Sequence, residues 1–203
     1  MTNSILITLL TIIICISVFY FLTLRKNKSQ METSENKFID IKEFAKFVIY
    51  FFNSRGSLIT NKKLQKLLYY TQAWHLVYFE NDQFFKETPE AWVHGAVYPN
   101  VYHQYKKFKA KPIVFDNGIE REQLKNFFNS FKFSEDQKEF INSVLSTYGK
   151  KEAFELELLN HREKPWLEAR EGLEDYDIST KPISIETMKT YYSDLLKRSK
   201  NVL

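Results

Sequence analysis

The chain has 203 residues, 44% hydrophobic, 27% charged and 16% aromatic, a balance that can form a core and excludes a disordered, collagenous or low-complexity protein. Only five glycines and five prolines argue against a turn-dense all-β fold, and the single cysteine, Cys15, excludes a disulfide framework, a Cys-based zinc site and a Cys nucleophile in the part that follows it. The net charge of +4 is unevenly placed, because Arg25, Lys26 and Lys28 stand unopposed in the first thirty residues while residues 31–203 carry 26 bases against 25 acids. That near-neutral body does not call for a nucleic-acid partner.

Ile5 to Leu24 is an uncharged apolar run of twenty residues. At about 1.5 Å per residue a helix of this length spans about 30 Å, the hydrocarbon thickness of a bilayer. A cleaved signal peptide would need a basic n-region and a small-residue cleavage site; Met1–Ser4 has no basic side chain and no A-x-A pattern follows the run. The sequence therefore predicts a transmembrane anchor over residues 1–24. The bases come after it, which by the positive-inside rule places the N-terminus outside and the rest in the cytoplasm, a single-pass protein of the cytoplasmic membrane that meets the lipid bilayer through Ile5–Leu24. Residues 25–37 lack aromatic and branched aliphatic side chains and read as a basic, polar tether.

Residues 38–203 fit one domain. Asp40-x-x-Glu43 resembles a capping box, and Ile41, Phe44, Val48 and Phe51 recur at helical spacing until Gly56. Thr60 or Asn61 caps a second helix with the stripe Leu64, Leu67, Leu68, Thr71, Trp74 and Tyr78. Asn81-Asp82 reads as a turn, and Phe84–Lys86 and Ala91–Val93 as short β segments. Pro99 suits a first helical turn, with Val101, Tyr105 and Phe108 on one face. Ser134-x-x-Gln137 opens a helix that buries Phe140, Ile141, Val144, Leu145 and Tyr148 and ends at Gly149. Glu152–Asn160 is helical by propensity, Pro165 starts a short helix through Arg170, and Ser184 opens the last one, with Ile185, Met188, Tyr192 and Leu195 inward. The expected fold is mainly α, a compact helical domain with a small irregular β element, preceded by one transmembrane helix.

Chemistry is hard to find. His75, His94, His103 and His161 form no H-E-x-x-H motif, and no P-loop, G-x-G-x-x-G or G-x-S-x-G is present. Glu157 and His161 fall on one helical face, where a structural pair is the simpler reading than a metal site. No carboxylate spacing singles out an acid/base pair. No metal, no cofactor and no enzymatic activity are expected. Lys106, Lys107, Lys109 and Lys111 interleave with Tyr102, Tyr105 and Phe108, a pattern better explained by a buried aromatic stripe and a solvated basic face than by nucleic acid. Residues 152–177 carry nine acids against three bases, a stretch suited to steering a basic protein partner or to a solvated helical surface.

Specific strings then become recognisable. Lys63-Leu64-Gln65-Lys66-Leu67-Leu68-Tyr69-Tyr70-Thr71-Gln72-Ala73-Trp74-His75-Leu76 resembles the KLQKLLYYAQGWHL helix of SocA-like antitoxins, the Panacea domain. Glu90 to Tyr102 is similar to that family's EAWxxGPVxPxVY block, and Tyr148-Gly149, Glu157-Leu158, His161, Glu163, Pro165-Trp166 and Ala169-Arg170 match its YG…EL…H…PW…AR signature. The match runs in order over about residues 40–197. Ala96 departs from the family's usual Pro, and a membrane anchor stands where relatives carry a DNA-binding extension, another extension or none, which argues against autoregulation of an operon.

The resemblance implies a non-enzymatic antitoxin that binds a cognate protein toxin and neutralises it by sequestration or by presenting it for proteolysis. With the anchor, the expectation is a membrane-tethered antitoxin of a phage-associated bacterial toxin–antitoxin pair. The alternative is a membrane-associated adaptor, or phage-related interaction protein, without a toxin. Within the motifs, Leu64, Leu67, Leu68, Trp74, Pro165 and Trp166 are expected in the core. Gln65, Trp92, His94, Gly95 and His161 are the candidate partner-binding residues, each of the polar ones being able instead to satisfy buried backbone groups.

Overall fold

Asp40, in an extended conformation, accepts hydrogen bonds from the Lys42 and Glu43 amides at 2.8 and 3.1 Å and so starts α1, Ile41–Asn53. A computed structural model describes residues 38–79, 83–115 and 120–200. The apolar run Ile5–Leu24, the tether and the Asn81-Asp82 turn lie outside the described residues, among which no helix is long and apolar enough to cross a membrane. The described part is mainly helical with one two-stranded sheet.

Helix α2, Asn61–Tyr78, is the centre of the molecule, capped by the Thr60 hydroxyl. The sequence reading gave it one apolar stripe; instead it is buried from Asn61 to Leu76 on every face but that of Lys62, because helices and the sheet pack all round it. Several of its polar side chains are tolerated there because they meet backbone groups. Gln65 Oε1 accepts from the Tyr98 N–H, Lys66 Nζ donates to the Ala96 carbonyl, and Gln72 Oε1 accepts from both Phe84 and Phe85. That last pair explains why Phe84–Lys86 forms no strand: two of its amides are held by one glutamine and not by a ladder.

Strands β1, Glu90–Trp92, and β2, Gly95–Val97, form an antiparallel hairpin closed by Val93-His94, with Ala91 opposite Ala96. The expected Ala91–Val93 strand is thus shifted by one residue. Residues 181–183 run along the outer edge of β1, where Ala91 N–H donates to the Lys181 carbonyl and Ile183 N–H to the Pro89 carbonyl. Helix α3, Pro99–Tyr105, follows with Pro at its start and passes into a single 3-10 turn, Lys106–Phe108.

Helix α4, Arg121–Ser130, is an element the sequence reading did not anticipate. It opens on a capping box between Glu120 and Gln123 and lays Phe127 and Phe128 against α1, the Phe128 ring stacked on Phe47 at 4.7 Å. Helix α5, Glu135–Tyr148, begins at the Ser134/Gln137 capping box and buries Phe140, Ile141, Val144, Leu145 and Tyr148 against α2. It ends at Gly149, where a Cβ would lie 2.5 Å from the Phe52 ring. Helices α6, Ala153–Asn160, α7, Lys164–Ala169, and α8, Ile185–Lys200, complete the domain, α8 packing along α2 through Met188, Tyr192 and Leu196. Leu195, expected to face inward, is only half-buried; Leu196 takes that place.

Candidate functional site

Three side chains reach the hairpin from the helices and hold strand β2 where a neighbouring strand would otherwise sit. Gln65 and Lys66 of α2 bind Tyr98 and Ala96, and Asn160, at the end of α6, accepts from the Ala96 amide. Gly95 is the residue this arrangement requires. Its φ is +90°, and a Cβ there would lie 2.5 Å from Lys66 Nζ and 2.6 Å from Asn160 Oδ1.

Behind Lys66 lies a buried polar chain. Glu163, at the start of α7, accepts from Tyr70, Tyr192 and Asn160 at 3.2, 2.8 and 3.2 Å. Burial pushes its carboxyl up to about 7, against the pull of those hydrogen bonds. Burial likewise brings the Lys66 ammonium down to about 7, with the charges of Glu157 and Glu163 opposing the shift. Tyr70 stacks on Tyr148 at 4.0 Å, and Trp74 donates its indole N–H to the Tyr148 hydroxyl at 2.7 Å.

In front of Lys66 the surface opens into a cleft of about 590 Å³. The first turn of α2 and Gln65, the Trp92–His94 corner of the hairpin, Tyr102, Lys109, Phe154 and the 178–180 segment line it. Trp92 is fixed at both ends. Its indole N–H donates to Glu90 at 2.7 Å, its carbonyl accepts from the Trp166 indole at 3.0 Å, and its ring meets Tyr102 edge-on at 4.9 Å. His94 projects into solvent, its side chain 69% exposed, while its Nδ1 donates to Glu157 at 2.9 Å. Glu157 also accepts from Lys62 at 2.7 Å. Burial raises the Glu157 carboxyl, but the hydrogen bonds and charges of Lys62 and His94 outweigh it and leave the pKa below its ordinary value. The Glu157–His161 pairing expected from their spacing is therefore replaced, both carboxylate oxygens being taken by Lys62 and His94.

His161 is not among the cleft-lining residues; it stacks on Trp166 at 4.2 Å, and burial lowers its pKa against the charge of Glu157. The structure thus brings Gln65, Trp92 and His94 together at the cleft, sets Gly95 beneath them and leaves His161 behind the corner. Leu64, Leu67, Leu68, Trp74, Pro165 and Trp166 are buried. Sequence reasoning met Lys66 and Glu163 inside the family motifs without naming them as site residues, and it missed Asn160 and the wall residues Phe154 and Ile178. Neither Lys66, which reads in sequence as a solvent-facing lysine, nor the wall residues, far apart in sequence, gave a local signal.

Beside the cleft, Arg170 stacks on Trp166 and donates to four carbonyls, those of Ala91, Glu174, Asp175 and Asp177. This guanidinium fixes the 171–178 loop, which presents Tyr176 and Ile178 at 88% and 91% exposure. Among the described residues no group of three or more His, Cys, Asp or Glu side chains converges as a metal site. The arrangement offers an apolar groove whose wall also carries Lys62, Lys66 and Lys109.

The model of the antitoxin SocA-like Panacea domain matches residues 64–167, from the middle of the first turn of α2 to the middle of α7. The chain belongs to this family. The matched stretch contains the hairpin, Lys66, Asn160 and Glu163, while Ile178 and the α8 partner Tyr192 lie beyond it. No curated protein and no solved structure matches the chain.

Proposed function

We propose that this chain is a non-enzymatic antitoxin that neutralises a cognate protein toxin by direct binding, either sequestering it or presenting it for proteolysis. Membership of the SocA-like Panacea family over residues 64–167 is the observation that carries the reading. The cleft supports it, because Phe154, Tyr176 and Ile178 expose large apolar surface around a rigidly held corner, the usual anatomy of a protein-binding site. The toxin is sought in the adjoining reading frames. Co-expression of the full chain with each neighbouring product is expected to restore growth that one of them abolishes. If no neighbouring product is both toxic alone and harmless with this chain, the antitoxin reading fails.

The apolar run Ile5–Leu24 is proposed to tether the domain to the membrane from the cytoplasmic side, through residues 25–37. A coil of that length spans about 20 Å. Tethering would raise the effective concentration of the domain toward a membrane-acting toxin without any new contact. A green fluorescent protein fused after Leu203 should then fluoresce and an alkaline phosphatase at the same point should be inactive. Strong phosphatase activity would place the domain outside.

A further inference from the structure

The charges that line the cleft are of one sign. Lys62, Lys66 and Lys109 contribute to its wall together with His94, and no Asp or Glu does among the described residues. Glu157 offsets Lys62 and His94 from behind the rim, at 2.7 and 2.9 Å. The Lys66 ammonium has three N–H donors, of which the Ala96 carbonyl takes one. Lys109 sits at φ +52°, a conformation rare for a side-chain-bearing residue, at the end of the 3-10 turn.

Between these cations the walls are apolar. Trp92, Val97, Tyr102, Phe154 and Ile178 contribute them, the last two 64% and 91% exposed. Apolar surface continues past the mouth of the cleft, through Leu158 one turn along α6 from Phe154 and Tyr176 two residues before Ile178. A small molecule would cover only part of it; a peptide segment spans the groove and both lips.

The occupant cannot enter as an added strand. The Ala96 amide and carbonyl of β2 are already held by Asn160 and Lys66, and residues 181–183 occupy the edge of β1. Recognition has to run through side chains: apolar ones against the walls and an anion toward the lysines. We propose that the cleft is the docking groove for an extended segment of the protein partner carrying a carboxylate beside aromatic or branched aliphatic residues. This rests on the reading of the chain as a protein-binding antitoxin, and specifies the chemistry that the groove grips. A carboxylate there meets the ammonium groups of Lys62 and Lys109, and that of Lys66 where it is protonated, in a partly dry setting, where charge-assisted hydrogen bonds are strongest.

The test is a selection of random seven-residue peptides displayed on phage against the full chain held in lipid nanodiscs. The expected binders carry Asp, Glu or a free C-terminal carboxylate next to aromatic or aliphatic residues. The best of them, made as a synthetic peptide, should bind at least tenfold more weakly when its carboxylate is converted to the amide. Lys109→Glu and Phe154→Ser, both at exposed positions, should each weaken it at least fivefold with an unchanged melting temperature. Enrichment of basic peptides, no enrichment, or binding indifferent to both substitutions would overturn the proposal. Toxin rescue is scored separately. Rescue that survives the Lys109→Glu/Phe154→Ser double substitution leaves the antitoxin intact and removes the groove from its mechanism. Loss of every rescue by the unaltered chain, with the peptide preference intact, removes the antitoxin reading and leaves the groove.

Discussion

Lys66 and Asn160, from helices distant in sequence, grip the same residue: the lysine donates to the Ala96 carbonyl at 2.9 Å and the Asn160 side-chain oxygen accepts from the Ala96 amide. A two-stranded hairpin is marginal by itself in water. Here the second strand is held in place by the helical core, and the cleft inherits that rigidity.

Gly95→Ala tests the clamp. The new Cβ meets Lys66 Nζ and Asn160 Oδ1 inside van der Waals contact at a φ of +90°. The expected loss is about 2 kcal/mol or more, from backbone strain and displaced buried partners. A chemical denaturation series would read it as a lower midpoint with an unchanged slope. An unshifted midpoint would show that the hairpin moves freely away from α2.

Trp74 separates packing from hydrogen bonding. Its ring lies edge-on to Tyr192 at 5.0 Å, and its indole N–H donates to the Tyr148 hydroxyl. Trp74→Ala should cost about 3–5 kcal/mol, as buried aromatic truncations do. Trp74→Phe keeps most of the apolar volume and should lose about 1–2 kcal/mol with the hydrogen bond. A Trp74→Phe chain as stable as the unaltered one would contradict the assigned hydrogen bond.

The Glu163–Lys66 region gives a pH signature. Glu163 titrates near 7 in the folded chain and lower when unfolded, so between about 4.5 and 7 the folded state binds the extra proton and stability falls as pH rises. Lys66 titrates near 7 folded and near 10.5 unfolded, so between those values the unfolded state binds more protons and stability recovers. Both groups therefore place a stability minimum near neutrality. Melting temperatures of Glu163→Gln across pH 5 to 7 should lack the decline seen in the unaltered chain. An identical decline in both would exclude Glu163 as its source.

Arg170→Lys probes the loop. A lysine cannot reproduce a planar fork on four carbonyls. Amide hydrogen exchange in residues 171–178 should accelerate at least tenfold while α2 and α5 keep their protection, and partner binding should weaken because Ile178 is no longer held at the cleft. Unchanged exchange would show that the loop is fixed by something other than this side chain.

How far the sequence spoke depended on the range of the interaction. Capping boxes and apolar periodicity are local, and they located α1, α2, α5 and α8 and gave the buried faces of α1 and α5. Helix α4 escaped because its N-cap is a glutamate, and because its phenylalanines become interior only once α1 is beside them. The one-stripe picture of α2 failed for the same reason: Gln65, Lys66 and Gln72 look like solvent-facing residues until the backbone groups they satisfy arrive from 12 to 33 residues away. The cleft was only half legible. Trp92 and His94 announced themselves through a recognisable motif, whereas Phe154 and Ile178 belong to the site only through the path of the chain.

The family-matched stretch and the folded body have different borders. Residue 64 falls after Thr60, whose hydroxyl caps α2, and residue 167 precedes Tyr192, whose hydroxyl supports Glu163 at 2.8 Å, and Ile183, which hydrogen-bonds Pro89. A fragment cut to the matched borders would lose the wall of α8 and strand a buried carboxylate without one of its donors. What is inherited as a recognisable pattern is thus smaller than what must be made in one piece to stand, and a transplant of this module into another protein has to carry residues from Asp40, the cap of α1, to at least Leu196 of α8.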